Sequence, residues 1–224
     1  MKILSINREL EYKELSITNI TESQLTDSLD TSYDYIIISG GDGTIRRVVS
    51  ILHEQNSIPK IILNPTGSFN VVAKLHRVPK IAKILQALSN GETPQIREHK
   101  FYRLNNHIFL FSAGNMGDVQ HILISETLRF GILKRGMAKY IITTIFLLPI
   151  YFILTPFMLL SKRRFFIFTP FSFIHKFGSF YGQVIDMDID LDNSYNILEL
   201  DGDIVLIEES FLEIREVGFL EIVV

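Results

Sequence analysis

A glycine-rich hexapeptide, Ser-Gly-Gly-Asp-Gly-Thr at residues 39–44, separates two apolar stretches of different periodicity. Residues 33–38 before it are mostly apolar and lack helical spacing, which is typical of a buried strand. Residues 45–52 after it place apolar side chains at the i, i+3, i+4 and i+7 positions of a helix. Thr44 stands where a helix N-cap is expected. The sequence therefore predicts a strand, a tight glycine turn and a helix in direct succession.

The same order of elements is repeated further along the chain. Residues 59–63 predict a second buried strand, which is followed by Asn-Pro-Thr-Gly-Ser-Phe-Asn at 64–70. Helices are expected over 69–76 and 79–89, with Pro79 at a helix start. Alternating strands and helices indicate βαβ units, and hence a Rossmann-like parallel α/β domain over about residues 1–95. Residues 96–224 predict a mostly β, sandwich-like second domain that contains one long apolar segment.

Charge is strongly segregated along the 224 residues, although the net charge is only −3. Residues 127–185 contain no Asp or Glu, eight Lys or Arg, and 11 of the 17 phenylalanines. Residues 186–224 contain twelve acidic side chains and one arginine. A basic, aromatic and acid-free stretch favours contact with an anionic surface. The chain has no cysteine, which excludes disulfides and thiolate metal sites.

The position of the glycine turn favours a phosphate site. Ligands of open α/β sheets bind beyond the carboxyl ends of the strands, where a helix N-terminus offers free N–H groups. Glycines let a phosphate reach the backbone without meeting a Cβ atom. Asp42 would repel a bare phosphate, so its presence suggests Mg²⁺. A plain glycine connector, or an Asp-Gly hairpin turn, is the alternative interpretation.

Two motifs resemble the catalytic domain of the diacylglycerol kinase family of lipid kinases. The first is Gly-Gly-Asp-Gly-Thr at 40–44, and the second is Pro-Thr-Gly-Ser-Phe-Asn-Val-Val-Ala-Lys at 65–74. The segments 133–140 and 198–208 resemble weaker motifs of that family. The resemblance touches most of the chain, but it is specific only over residues 36–79.

The resemblance implies ATP and Mg²⁺ as cofactors and assigns roles to particular residues. Asp42 would organise Mg²⁺ from a glycine loop that is not part of the core, and Asn70 would bridge the two motif loops. Asp203 would be the base that accepts the proton of the acceptor hydroxyl. The expected nucleotide-binding residues are Gly40, Gly41, Asp42, Gly43, Thr44, Gly67, Ser68, Asn70 and Lys74.

Three positions depart from the family pattern. Val71 stands where many members carry Asp, and Asp203 stands where the family places Glu. The first strand is followed by Asn7 alone, where the family has Asn-Pro and a glycine-bearing loop. Asp201-Gly202 is also a strong hairpin signal, so a plain turn is the alternative role for this region.

Residues 140–161 form a stretch of 22 residues without a charge, which is long enough to span a bilayer. Basic residues flank it on both sides, which places both ends on the cytoplasmic side. We expect it to enter a membrane from one side without crossing it. The alternative is a hairpin of helices buried in the second domain.

These observations predict a lipid kinase that lies peripherally or monotopically on the cytoplasmic face of a membrane. Its expected partners are a nucleoside triphosphate, a lipid substrate that is diacylglycerol-like or sphingoid-like, and an anionic membrane surface. No nucleic-acid partner is expected. One rival is a catalytically degenerate lipid-binding or regulatory protein that retains the kinase fold. A less favoured rival is an NAD kinase, because that enzyme class shares the first motif.

Overall fold

The computed structural model describes residues 1–25, 33–55, 58–115, 163–184 and 186–224. Between residues 140 and 162 it describes only residues 141–142, 145, 148–149, 156–157 and 159–160. The chain divides into two compact units. Unit 1 contains residues 1–110 and 216–224, and unit 2 contains residues 111–215.

Unit 1 is built on a sheet whose first four strands are parallel, as the sequence predicts. These strands are β1 (Lys2–Ile6), β2 (Ser16–Ile20), β3 (Tyr35–Gly40) and β4 (Lys60–Pro65). They lie in the order β2-β1-β3-β4. Strand β14 (Phe211–Val223) continues this sheet beside β4 through Ile222, and β5 (Ile96–Leu104) and β6 (His107–Phe109) complete it.

Three α-helices follow the strands of unit 1. Helix α1 covers Asp42–Glu54, α2 covers Val71–His76 and α3 covers Ile81–Ser89. The predicted apolar face of α1 is confirmed, because its buried apolar side chains are Ile45, Val48, Val49 and Leu52. From α3, Ile84, Leu85 and Leu88 pack with Ile3, Ile37 and Ile62 in one core. Both faces of the central strands are therefore buried.

Two predicted helix starts are wrong. Helix α1 begins at Asp42 with Gly41 as its N-cap, so Thr44 lies inside the first turn. The carbonyl of Gly41 already accepts the N–H of Ile45 at 3.1 Å, which makes Gly41 the cap. Helix α3 begins at Ile81 after the N-cap Lys80, so Pro79 precedes the helix. A 3₁₀ turn covers Glu22–Gln24.

Unit 2 is mostly β, as expected. The strands of its main sheet are β7 (Ser112–Gly114), β8 (Phe166–Phe168), β9 (Lys176–Phe177), β10 (Phe180–Tyr181), β12 (Asn196–Leu200) and β13 (Asp203–Ile207). They lie in the order β13-β12-β7-β8-β10-β9. Strand β11 (Met187–Asp190) pairs with Phe211–Ile214 of β14. A 3₁₀ turn covers Thr169–Phe171.

Most of the long apolar segment, and all of residues 133–140, lie outside the described residues. Within the part of the chain that the structure describes, no helix has both the length and the apolar character needed to cross a membrane. The described positions between 141 and 160 are helical. Five of their apolar side chains are exposed, namely Ile141, Ile145, Leu148, Phe157 and Leu160.

Candidate active site

The two predicted motif loops lie side by side because they follow neighbouring parallel strands. Gly40 at the end of β3 is in register with Pro65 at the end of β4. The backbone N–H of Thr66 donates to the carbonyl oxygen of Gly40 at 3.0 Å. Below this pair, the buried amide of Asn64 donates to the hydroxyl of Ser39 at 2.9 Å. The strand ends are thus fixed to each other directly beneath the loops.

The loops touch through two glycines. A Cβ atom added to Gly67 would lie 2.6 Å from the Cα atom of Gly41, which is a clash with backbone. A Cβ atom added to Gly41 would lie 3.3 Å from the Cα atom of Gly67. Neither backbone conformation requires glycine by a positive φ. The glycines are therefore needed here for the close approach of two chains rather than for a turn.

Asp42 ties the first loop to the helix that follows the second. One carboxylate oxygen accepts the backbone N–H of Val71 at 2.8 Å, and the other accepts that of Val72 at 3.1 Å. The expectation that Asp42 lies in a glycine loop outside the core is wrong, because Asp42 is only 7% exposed and occupies the first position of α1. Burial raises the pKa of this carboxyl, while the two N–H donors and the charge of Lys74 counteract the increase.

Asn70 closes the second loop upon itself. Its amide oxygen accepts the N–H of Gly67 at 3.0 Å, and its amide nitrogen donates to the carbonyl of the same residue at 2.7 Å. Asn70 has a left-handed backbone with φ of 49°, which Asn tolerates better than most residues. The expected bridge between the loops is therefore made by Asp42, and the bonds of Asn70 shape its own loop.

The remaining predicted residues of unit 1 lie around these two loops. Gly43 and Thr44 are in the first turn of α1, and the hydroxyl of Thr44 lies 3.4 Å from a guanidinium nitrogen of Arg47. Ser68 is exposed at the tip of the second loop. Lys74 is exposed on α2, and its charge acts on Asp42. The structure thus gathers the predicted nucleotide-binding residues at one edge of the sheet.

One ion pair near this edge has no sequence signal. The guanidinium of Arg47 binds the carboxylate of Glu22 through two contacts of 2.5 and 3.2 Å. The side chain of Asn7, which follows β1, accepts the backbone N–H of Glu22 at 2.9 Å. Twenty-five residues separate Glu22 from Arg47, so neither local spacing nor a motif could have predicted the pair.

Asp203 belongs to unit 2, where the predicted hairpin at Asp201-Gly202 is confirmed. Both turn residues have positive φ, 51° and 92°, and they connect β12 to β13. Asp203 is the first residue of β13 and is paired with Leu200. Its neighbour Asp201 is buried and accepts the backbone N–H groups of Phe111 and Ser112 at 2.9 and 3.0 Å. Asp201 therefore anchors the turn to its sheet.

Comparison with known proteins identifies the first part of the chain. The family described as the diacylglycerol kinase catalytic domain matches residues 4–101. This match covers less than half of the 224 residues. This matched region contains both motif loops and all of their contacts described above.

Several relatives carry corresponding names. A Streptococcus pneumoniae protein named "Putative lipid kinase" is 29% identical over 136 residues, which cover 57% of this chain and 46% of the relative. A Staphylococcus epidermidis "Diacylglycerol kinase" is 32% identical over 97 residues, which cover 42% of this chain and 30% of the relative. The chain thus spans less than half the length of these curated relatives.

A search of solved structures returned the following two proteins among others. A diacylglycerol kinase from Bacillus anthracis covers 57% of this chain and 52% of its own, with 18% identity and a TM-score of 0.41. An NAD kinase from Archaeoglobus fulgidus in complex with ATP covers 100% of this chain and 94% of its own, with 10% identity and a TM-score of 0.48.

The diacylglycerol kinase-like loops offer one carboxylate for a metal. In the described ranges, no three His, Asp or Glu side chains are grouped closely enough to hold a metal ion. Mg²⁺ that binds with phosphates needs only one or two protein carboxylates. Two N–H groups, those of Val71 and Val72, already donate to Asp42. A carboxylate has about four acceptor sites, so Asp42 fits hydrogen bonds to metal-bound water and does not fit an all-protein cage.

Proposed function

We propose that this chain binds Mg²⁺ and ATP at the loops after β3 and β4, and that it transfers the γ-phosphoryl group to a hydroxyl of a membrane lipid. The observation that carries the proposal is the contact of Gly41 with Gly67, which is braced by the Asp42 carboxylate. Two glycine loops thus lie against each other at the N-terminus of α1. Backbone N–H groups at a helix N-terminus suit the phosphates of a nucleotide.

The strand order supports the position of the nucleotide. Strand β1 has β2 on one side and β3 on the other, so the direction of the chain order reverses between β1 and β3. Ligands of open α/β sheets bind outside the carboxyl ends of the strands at such a switch point. Asn7 follows β1 and Gly41 follows β3, so both residues border the proposed site. Helix α1 has 13 residues and directs its N-terminus to the same edge.

The proposed chemistry is in-line phosphoryl transfer, which requires mainly positioning and neutralisation of charge. Backbone N–H groups of the glycine loops, the Ser68 hydroxyl and the Lys74 ammonium would bind phosphate oxygens. Mg²⁺, bound with the nucleotide, would supply further neutralisation. The lipid hydroxyl oxygen would attack the γ-phosphorus while the bond to the β-phosphate oxygen breaks and ADP leaves. Asp203 would accept the hydroxyl proton.

A catalytically degenerate lipid-binding protein is the second candidate, and one observation favours it. Each carboxylate oxygen of Asp42 already accepts a backbone N–H, and Val71 stands where many family members carry a second carboxylate. A site organised in this way could hold phosphates without promoting their transfer. Binding and transfer must therefore be measured separately.

Calorimetric titration with ATP in the presence of Mg²⁺ tests the first step. We expect saturable binding by the full chain and a large loss in Gly67→Ala, because the new Cβ atom would clash with the Gly41 backbone. Gly218→Ala is the matched control, since its Cβ atom would lie 3.4 Å from a ring atom of Phe101, an ordinary contact. Absence of ATP binding by the wild-type chain would refute the proposal.

Transfer of radiolabelled phosphate tests the second step. Diacylglycerol and a sphingoid base in mixed micelles are offered as acceptors, and NAD is offered in parallel. Labelled lipid supports the kinase, while ATP binding without any labelled product supports the degenerate protein. Labelled NADP without labelled lipid would establish the NAD kinase alternative.

A further inference from the structure

We propose that an aromatic surface of unit 2, formed by residues 157, 159–160 and 171–177, docks onto the interface of an anionic phospholipid bilayer. Two of its side chains are unusually exposed for phenylalanine: Phe173 is 79% exposed and Phe177 is 65% exposed. The inference deepens the proposed function by naming the surface that contacts the membrane. It uses none of the residues assigned to phosphate transfer.

The exposed rings belong to one packed cluster rather than to scattered positions. The ring centroids of Phe171 and Phe173 lie 5.7 Å apart, and those of Phe171 and Phe180 lie 6.5 Å apart. Phe180 is directly paired with Phe177 across β9 and β10. Contacts among these rings, which include the half-buried Phe180, therefore hold the exposed side chains in place. Rings fixed in this way lose little further entropy when they insert.

The helical residues 157, 159 and 160 are connected to the segment 171–177 through hydrogen bonds of Leu159. Its carbonyl oxygen accepts the backbone N–H of Ser179 at 2.9 Å and the Ser179 hydroxyl at 3.0 Å. Ser179 lies in the tight turn after Phe177, so the backbone of Leu159, which lies between the exposed Phe157 and Leu160 in the sequence, is fixed beside that turn. Exposed apolar residues therefore occur on two neighbouring backbone segments, and such clustering is typical of an interaction surface.

The charge distribution favours an anionic bilayer as the partner of this surface. The acid-free stretch from residue 127 to residue 185 includes this entire surface. Lys176 lies within it, with its ammonium 4.9 Å from the ring centroid of Tyr181. Aromatic rings with a nearby cation match the interfacial layer of an anionic membrane. Arg163 is paired with Asp192 at 2.8 Å, so we expect apolar insertion to contribute more than charge.

A single-tryptophan reporter tests the inference, because the chain has no tryptophan. In Phe173→Trp, vesicles of phosphatidylcholine with phosphatidylglycerol should shift the emission to shorter wavelength, and lipids brominated on the acyl chain should quench it. Phe219→Trp, at an exposed position of unit 1, is the matched control and should show neither effect. Equal quenching of both reporters would overturn the inference.

Vesicle flotation measures the contribution to binding. Phe173→Ser/Phe177→Ser should weaken binding roughly tenfold or more, because two apolar rings are removed from the contact. The control Ile204→Ser/Leu206→Ser removes two side chains that are 51% and 55% exposed in the acidic part of unit 2, and it should bind like the wild type. Wild-type binding by the phenylalanine variant would refute the inference.

Two further outcomes are distinguished by the same variants. A tryptophan shift that depends on protein concentration and occurs without vesicles would show that the surface pairs two copies of the chain, and would overturn membrane docking. If the double serine variant does not fold by circular dichroism, the Phe173→Trp result decides alone. Failure of ATP binding leaves the vesicle result unchanged, so the two proposals fail independently.

Discussion

The carboxylate of Asp42 and the backbone N–H of Val71 form a 2.8 Å hydrogen bond across the two motif loops. A second bond, from Val72 to the other carboxylate oxygen, caps the same helix. Asp42, the acidic residue of the Gly-Gly-Asp-Gly-Thr motif, therefore has a structural role that does not depend on a metal ion. It holds the N-terminus of α2 against the N-terminus of α1, with Gly41 and Gly67 in contact between them.

Substitution of Asp42 should lower stability in steps. Asn keeps one acceptor oxygen and Ala keeps none, and each buried N–H left without an acceptor costs about 1–3 kcal/mol. We expect Asp42→Asn at the lower end of this range, since burial already disfavours the ionised carboxylate, and Asp42→Ala at roughly twice that loss. Urea unfolding measures both. Glu98→Gln, an exposed carboxylate of β5, is the control and should be unchanged. Equal stability of all three variants would contradict the bracing role.

The sequence predicted the sheet and the meeting of the motif loops because both depend on local patterns. Apolar periodicity identified α1 through Val48 and Leu52, and parallel βα units bring consecutive strand ends to one edge. The partners of Asp42 and Asn70 could not be predicted in the same way. Each depends on angstrom-scale placement of a side chain between two loops, and both residues have acceptors that could serve either arrangement.

The pairing of strands that are far apart in the chain could not be predicted from the sequence either. The last strand returns to the first unit, where Ile222 pairs with Ile61, and no local signal indicates a partner so far away in the chain. By contrast, the Asp201-Gly202 hairpin was predicted correctly because a two-residue turn with positive φ has a strong local preference for Asp-Gly.

Substitutions of Asp203 and of Asp201 should have different effects, the first on turnover and the second on stability. We expect Asp203→Asn to lower turnover of lipid phosphorylation by roughly a hundredfold or more while ATP affinity is unchanged, because a general base acts on the acceptor hydroxyl. Asp201→Ala should instead destabilise unit 2, since two buried N–H groups lose their acceptor. Steady-state kinetics and urea unfolding of both variants provide the measurement. Equal losses of turnover and ATP affinity in Asp203→Asn would show that Asp203 has a purely structural role.

Asn70 should respond differently to Asp and to Ala. Asp retains the oxygen that accepts the Gly67 N–H and tolerates the left-handed backbone, so Asn70→Asp should be more stable than Asn70→Ala by about 1 kcal/mol. ATP affinity should follow the opposite order, because a new negative charge beside the phosphates repels them. Calorimetry measures the order of ATP affinity and urea unfolding measures the order of stability, and the two orders should be opposite. The same order in both measurements would place the phosphates elsewhere.

The buried histidine pair should make stability depend on pH. Nε2 of His76 lies 2.9 Å from Nδ1 of His99, and burial lowers both pKa values, that of His99 to about 4. The unfolded chain takes up the proton at its ordinary pKa of 6.5 while the folded chain resists it. Stability is therefore fully present above pH 6.5 and is lost as the pH falls toward 4. A tenfold difference in proton affinity corresponds to about 1.4 kcal/mol, so the loss that His99 causes should reach about 3 kcal/mol.

Urea unfolding at a series of pH values between about 7.5 and 5 checks this histidine effect, because the unfolded-state protonation dominates in that range. His99→Leu should flatten the profile, since it removes the group whose pKa differs most between the two states. The control His175→Gln, at an exposed position, should keep the wild-type slope. A profile of His99→Leu as steep as that of the wild type would mean that other groups cause the acid sensitivity.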